Sequence, residues 1–359
     1  MSELAVVSFF VGAYLIMGRN GMPLGGDTYT AYQPWIKEVL SIGPLQFAQN
    51  QHFVEVLYPI IGSIPVRLGV AITTEEIYFP IILAVAIVVA TAFLAREFKD
   101  SRVAILTVAF TAGWFAMYRM GADYHGQFLA FVFLILATTL FVRIGKTIHP
   151  RRDVALFIVL VGLAALAHVE TTAVFVAIWI LTSAVFDLRS AVRRRSLIVI
   201  LAASILIAIP VLPYAISRYP YTLSQPYPLL PTFWLEVWGP EVLLAALGLA
   251  VCARQAVSQK GERLTRLVLV WSLFCIVVGS IGYVFPWFNL SYSDRTVLML
   301  PIPMLSAIST TWLADKSGAF ARYQNLMMIL IFAIPAVTAP AVFAYLVPQR
   351  FRYYPPYVP

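Results

Sequence analysis

Mostly apolar stretches, each close to the roughly twenty residues that a helix needs to cross a bilayer's hydrocarbon core, recur along nearly the whole chain. Eleven can be read as helices, at about 3–18, 77–95, 103–118, 126–142, 154–170, 172–186, 197–216, 234–252, 267–287, 296–313 and 325–347. A backbone in lipid must satisfy its own polar groups, so such stretches are expected as helices rather than open strands. With 61% hydrophobic and 12% charged residues, a water-soluble fold has too little polar surface to cover the apolar remainder. The sequence therefore predicts an all-α fold, a polytopic transmembrane helical bundle of about eleven helices, with residues 1–359 as a single integral membrane domain. It holds no soluble domain, low-complexity tract or internal repeat.

The formal net charge of +8 points to topology rather than to nucleic acid. Seventeen of the 25 basic residues fall in five short clusters between apolar runs: REFKDSR, RIGKTIHPRR, LRSAVRRR, RQAVSQKGERLTR and KSGAFAR. Such clusters mark cytoplasmic loops, which puts the loops holding Arg119, Arg218 and Arg295 outside. The stretch from Leu4 to Met17 lacks a basic leader and a small-x-small cleavage site, so it is expected to remain as an anchor helix. Glu3 before it and Arg19 after it run against the charge rule locally. One further stretch, 54–72, is interrupted by Glu55, Pro59, Pro65 and Arg67, which are costly at membrane depth. Either the N-terminus is cytoplasmic and 54–72 is a re-entrant or interfacial pair of short helices, or the N-terminus is outside and 54–72 spans. Cys252 and Cys275 both lie in or at the edge of apolar segments, which leaves neither a disulfide framework nor a CxxC site.

Function has to come from polar residues kept where a bilayer would exclude them. With a cytoplasmic N-terminus they collect at the outer face: Asp27 in RNGMPLGGDTYTAYQPW, Asp123 and His125 in YRMGADYHGQ, His168 and Glu170 in LAHVETT, and Asp294 with Arg295 in NLSYSDRT. Each has a plainer reading. Asp27 is also a good N-cap for a helix starting at Thr28. Asp123 and His125 bracket a tight loop, where a solvated turn is the default. Asp294 and Arg295 could form only a local ion pair at a helix entry, which contributes little when exposed. His168 and Glu170 say more, because an ionisable pair within an apolar run is a functional candidate by default; the alternative is a surface turn between helices. Tyr219, Tyr221, Tyr227, Phe233, Trp234, Trp238, Trp287, Phe288 and Tyr292 crowd the same side as an interfacial belt, some of them suited to stacking on sugar rings.

The order of these elements resembles the GT-C superfamily of polytopic glycosyltransferases. The resemblance rests on an anchor helix, an acid in the first outer segment (GGDTYTAYQPW), a Pro-bearing stretch (VLYPIIGSIPVRLG), a short basic turn (AREFKDSR) and an acidic outer loop (YRMGADYHGQ). It covers roughly residues 1–190 as a GT-C-like core module, with 191–359 as additional transmembrane helices. It implies a cell-membrane enzyme with an extracytoplasmic active site, a polyprenyl-phosphate sugar donor, and a lipid, glycan or protein acceptor. Asp27 matches the first-loop acid that relatives use as base or acceptor-orienting group, and Asp123 the acid of the second outer loop. The chain departs from the pattern at Glu55 to Pro59, which lacks the Lys-Pro-Pro of one branch, and at His125, where many relatives carry another residue.

The expected chemistry is an inverting transfer. Asp27 removes the acceptor proton, Asp123 orients the acceptor or shares a divalent cation, Arg119 and Arg295 clamp the departing phosphate, and His125 and His168 add donors. Carboxylate and imidazole both suit a cation, although no ligand spacing in the sequence demands one. Two rivals are a transporter or flippase relaying protons through His168 and Glu170, and a non-catalytic membrane subunit.

Overall fold

The computed structural model describes residues 31–114, 117, 120–121, 124–144, 150–186, 198, 202, 241–257, 262–284, 296 and 299–317. Its described residues form eleven helices and no strand. In chain order these are α1 (Gln33–Ile42), α2 (Pro44–Asn50), α3 (Leu57–Arg67), α4 (Ile72–Ala95), α5 (Ser101–Gly113), α6 (His125–Arg143), α7 (Pro150–Ala167), α8 (Val169–Phe186), α9 (Val242–Val257), α10 (Arg263–Val284) and α11 (Ile302–Ser317). Three of them, α4, α6 and α8, are long and apolar enough to cross a membrane.

These are not the same eleven helices as in the sequence reading. The expected helices at 3–18, 197–216 and 325–347 lie outside the described residues, apart from isolated positions. Three short ones take their place in the count. The pair α1 and α2 is set by local chemistry: Pro34 and Pro44 each sit at a helix start, where the missing N–H is no loss. Gly43 between them takes φ +87°, a left-handed turn open to glycine. The ambiguous stretch 54–72 folds as one helix of 11 residues, α3, about 16 Å long and so too short to cross a core of about 30 Å. At 24 residues α4 starts five residues earlier than read, and takes Glu75 and Glu76 into its first turns.

The helices pack in two connected groups. α4 lies against α5 and α6, α6 against α7, and α8 against α6, α7 and α10, while α9 and α11 pack together and α11 reaches α5. An aromatic stack fills the centre: Phe131 of α6, Phe175 and Trp179 of α8 and Trp271 of α10 have ring centroids 4.8–6.4 Å apart. Offset and edge-on rings of this kind add to the area they bury. α3 packs on α1, α4, α6 and α7, and a small second core of Val39, Phe47, Ala48 and Val56, with Leu166 against it, ties the short helices to the end of α7.

The two ends of the long helices differ in chemistry. Where α4 and α6 finish and α5, α7 and α10 begin, Arg143 pairs with Glu97 at 2.6 Å, Arg102 bridges Asp100 and Asp315, and Arg263 caps carbonyls of Phe141 and Ile144. This is the end of the basic clusters. Carboxylates, imidazoles and tyrosines collect at the other end, where α4, α6 and α8 start and α7 stops.

Candidate functional site

His125 opens α6 with its side chain 2% exposed. Its Nε2 lies 2.9 Å from the carbonyl of Gly121; a carbonyl only accepts, so Nε2 carries a proton. Nδ1 faces Glu76 Oε2 at 2.9 Å. Tyr32 stacks on the imidazole at 4.8 Å and donor geometry ties its hydroxyl oxygen to the Gly126 N–H at 3.0 Å. Tyr58 leans on the same ring at 5.0 Å, and its hydroxyl donates to Glu76 at 3.4 Å. Two glutamates, a histidine and two tyrosines thus share one buried cluster built from α3, α4, α6 and the residue before α1.

Glu75 is the outlier. Its side chain is buried, and among the described residues neither carboxyl oxygen has a hydrogen-bond partner. A Cβ at Gly62 would stand 2.7 Å from Glu75 Oε1, so a glycine on α3 is what leaves room for this carboxyl. A buried acid without a partner is costly and worth a functional explanation.

A second cluster adjoins the first. His168 is the one residue between α7 and α8, held by its N–H to Ala164 O at 2.8 Å and by its carbonyl, which accepts from the Thr172 N–H at 3.2 Å. Its Nε2 lies 3.5 Å from Glu55 Oε1 and 3.6 Å from Glu170 Oε2. Gly126 links the two clusters, since a Cβ there would meet Ala167 O at 2.9 Å and come within 3.9 Å of the His168 ring.

Of the sequence candidates, the structure brings His125, His168 and Glu170 to one end of the long helices. Asp27, Arg119, Asp123, Asp294 and Arg295 lie outside the described residues. Sequence reasoning missed Glu75, Glu76, Tyr32 and Tyr58, and treated Glu55 only as an interruption. The available signal was the acidic pair in ITTEEIYF, directly before an apolar run.

No protein-family model matches the chain, and no curated protein matches it. Among solved structures it is similar to the archaeal oligosaccharyltransferase AglB from Archaeoglobus fulgidus, solved in complex with an inhibitory peptide and a dolichol-phosphate. The TM-score is 0.61 at 13% identity, over 97% of this chain and 55% of that one. The chain therefore spans about half the length of that enzyme, and the likeness is one of fold.

Proposed function

We infer that the chain is a multi-pass membrane glycosyltransferase of the GT-C kind, which moves a sugar from a polyprenyl-phosphate donor to a lipid, glycan or protein acceptor at the extracytoplasmic face of the cell membrane. One observation carries the reading: buried carboxyl, imidazole and phenol groups gather at the end of apolar helices opposite the basic clusters. The GT-C-like fold supports it, as does the dolichol-phosphate bound by the structural neighbour.

In this reading residues 1–359 act as one membrane unit. Asp27 takes the proton of the acceptor hydroxyl as that oxygen attacks the sugar C1, and the C1–O bond to the lipid phosphate breaks. Asp123 orients the acceptor. Arg119 and Arg295 hold the leaving phosphate through charge-assisted hydrogen bonds, with Asp294 fixing Arg295. His125, the residue two after Asp123, is held between Tyr32 and Glu76.

The test pairs topology with turnover. An Asp27→Cys variant in intact cells is expected to react with an impermeant thiol reagent over a low background, because Cys252 and Cys275 are buried. In reconstituted vesicles given radiolabelled polyprenyl-phosphate hexoses, Asp27→Asn is expected to lower transfer at least about 100-fold while lipid binding persists. Labelling only after lysis, or movement of the lipid across the vesicle with no transfer by the native chain, would remove the reading; the second result would favour a flippase.

A further inference from the structure

We propose that Glu55, His168 and Glu170 form a binding site for one divalent transition-metal cation at the junction of α7 and α8, separate from the acids assigned to transfer. The three side chains converge from two distant parts of the sequence, and one ligand atom from each lies within 4.8 Å of the others. A cation bound by nitrogen and oxygen at about 2.0–2.2 Å in tetrahedral geometry holds its ligand atoms roughly 3.4 Å apart. The two separations from His168 Nε2, 3.5 Å and 3.6 Å, already have that size. Only the edge between the carboxylates has to close, and both carboxylates are partly exposed, with room to rotate and to admit a water as the fourth ligand.

The surroundings favour a fixed imidazole ligand. His168 is 2% exposed and anchored through its backbone on both sides. Its Nδ1 accepts the Thr171 N–H at 3.3 Å and lies 2.9 Å from Thr171 Oγ1, so a cation at Nε2 requires the ring proton to move to Nδ1, with the hydroxyl accepting it and the N–H contact given up. Metal-bound histidines are commonly oriented by such a contact on the other ring nitrogen. Glu55 is brought there by its neighbour Val56, which packs in the same small core as Leu166. Two carboxylates against one imidazole leave negative charge beside apolar helices, and a divalent cation offsets it at short range. One imidazole with two carboxylates suits Zn²⁺ or Mn²⁺ better than Mg²⁺, which prefers an all-oxygen octahedral shell.

The full chain, purified in detergent and stripped with a chelator, is to be titrated with Zn²⁺ and with Mn²⁺, and the Zn²⁺ form examined by X-ray absorption. The expected results are one Zn²⁺ per chain and a ligand shell of one imidazole with oxygen donors and no sulfur. Glu55→Gln and Glu170→Gln should each weaken binding at least about tenfold, as should Thr171→Val through the contact to His168, while Asp27→Asn binds like the native chain. The absorption measurement needs no variant and stands even if one fails to fold. Absence of stoichiometric binding, sulfur or a second imidazole in the shell, unchanged affinity in both glutamine variants, or loss of the ion in Asp27→Asn would each overturn the site.

Discussion

The Nδ1 atom of His125 lies 2.9 Å from Oε2 of Glu76, with both side chains sealed from solvent, yet the approach lacks the alignment of a hydrogen bond. Since Nε2 is committed as a donor to Gly121, Nδ1 meets the carboxyl either as a second N–H or as a lone pair. In both cases one proton has to sit between the two groups. The tyrosine hydroxyl of Tyr58 reaches the same oxygen only at 3.4 Å, too far to replace it.

This arrangement predicts unequal effects of two substitutions. Glu76→Gln can turn either an N–H or a carbonyl toward Nδ1 and removes one of two adjacent buried acids, so it should shift stability by no more than about 1 kcal/mol. His125→Ala strands Glu76 in a buried site, and removing one member of a buried pair typically costs about 3–5 kcal/mol; the poor alignment places the loss near the lower end. Thermal unfolding of both purified variants in detergent tests this. Equal losses would show that ring packing against Tyr32, and not the shared proton, holds the cluster.

Three helical glycines give a second prediction, because a Cβ meets different things at each. At Gly162 nothing lies within 4 Å, so Gly162→Ala should gain up to about 1 kcal/mol from helix propensity alone. At Gly248 a Cβ would fall 2.6 Å from the carbonyl carbon of Leu305 on α11. There the same gain is outweighed, because backbone cannot rotate aside and α9 must separate from α11; overpacking of this sort costs about 1–3 kcal/mol or more. Gly126→Ala should behave like Gly248→Ala, with the contact to Ala167 O pushing the start of α6 away from the end of α7. Melting temperatures of the three alanine variants, ranked against the native chain, decide it.

Part of the candidate site was legible because charge inside an apolar run is expensive and therefore conspicuous. His168 and Glu170 stood out on that ground, and the break between helices falls at His168 itself. Glu75 and Glu76 were hidden by the same reasoning, since a window chosen for apolar content starts just after them. Glu55 was visible as an anomaly, but its partner was not: the fold brings it to His168 through the packing of α3 on α7, and nothing local in the sequence encodes a contact of that range. The short helices α1 and α2 escaped because a twenty-residue window averages over helices of 10 and 7 residues, although Pro34, Gly43 and Pro44 already marked their boundaries.

Arg263 supplies a third prediction at the opposite end of the helices. Its Nη1 donates to the carbonyls of Phe141 at 2.7 Å and Ile144 at 2.8 Å, and its guanidinium lies 4.5 Å over the Phe141 ring. These are carbonyls that the end of α6 leaves without intrahelical partners, and a cation there also meets the negative end of the helix dipole. Charged hydrogen bonds contribute about 1.5–3 kcal/mol each, so Arg263→Ala should cost at least about 2 kcal/mol. Lysine has no planar fork and cannot serve two carbonyls while covering the ring. Arg263→Lys is therefore expected to recover less than half of the loss, and full recovery would show that charge alone matters.

The cap of α5 provides a prediction in pH. Asp100 accepts from the Arg102 N–H at 2.9 Å and from its side chain at 2.8 and 3.1 Å, while Arg102 also reaches Asp315 at 2.8 Å. The Arg102 side-chain bonds hold the Asp100 carboxyl below its usual range, against a smaller opposing effect of burial. A folded value below the unfolded one means stabilisation that is complete above about pH 4 and fades as pH falls through the folded value. Its size is modest, because Asp100 and Arg102 are both more than a third exposed and such pairs contribute at most about 1 kcal/mol. The cap itself is worth about 1 kcal/mol. Asp100→Asn keeps the cap and loses the charge, so its deficit relative to the native chain should be small at pH 7 and vanish in acid. Asp100→Ala should keep the larger part of its deficit at both. Unfolding curves of the two variants between about pH 7 and pH 3 separate cap from charge, and an Asp100→Asn deficit that does not shrink in acid would show that Arg102 does not act on this carboxyl.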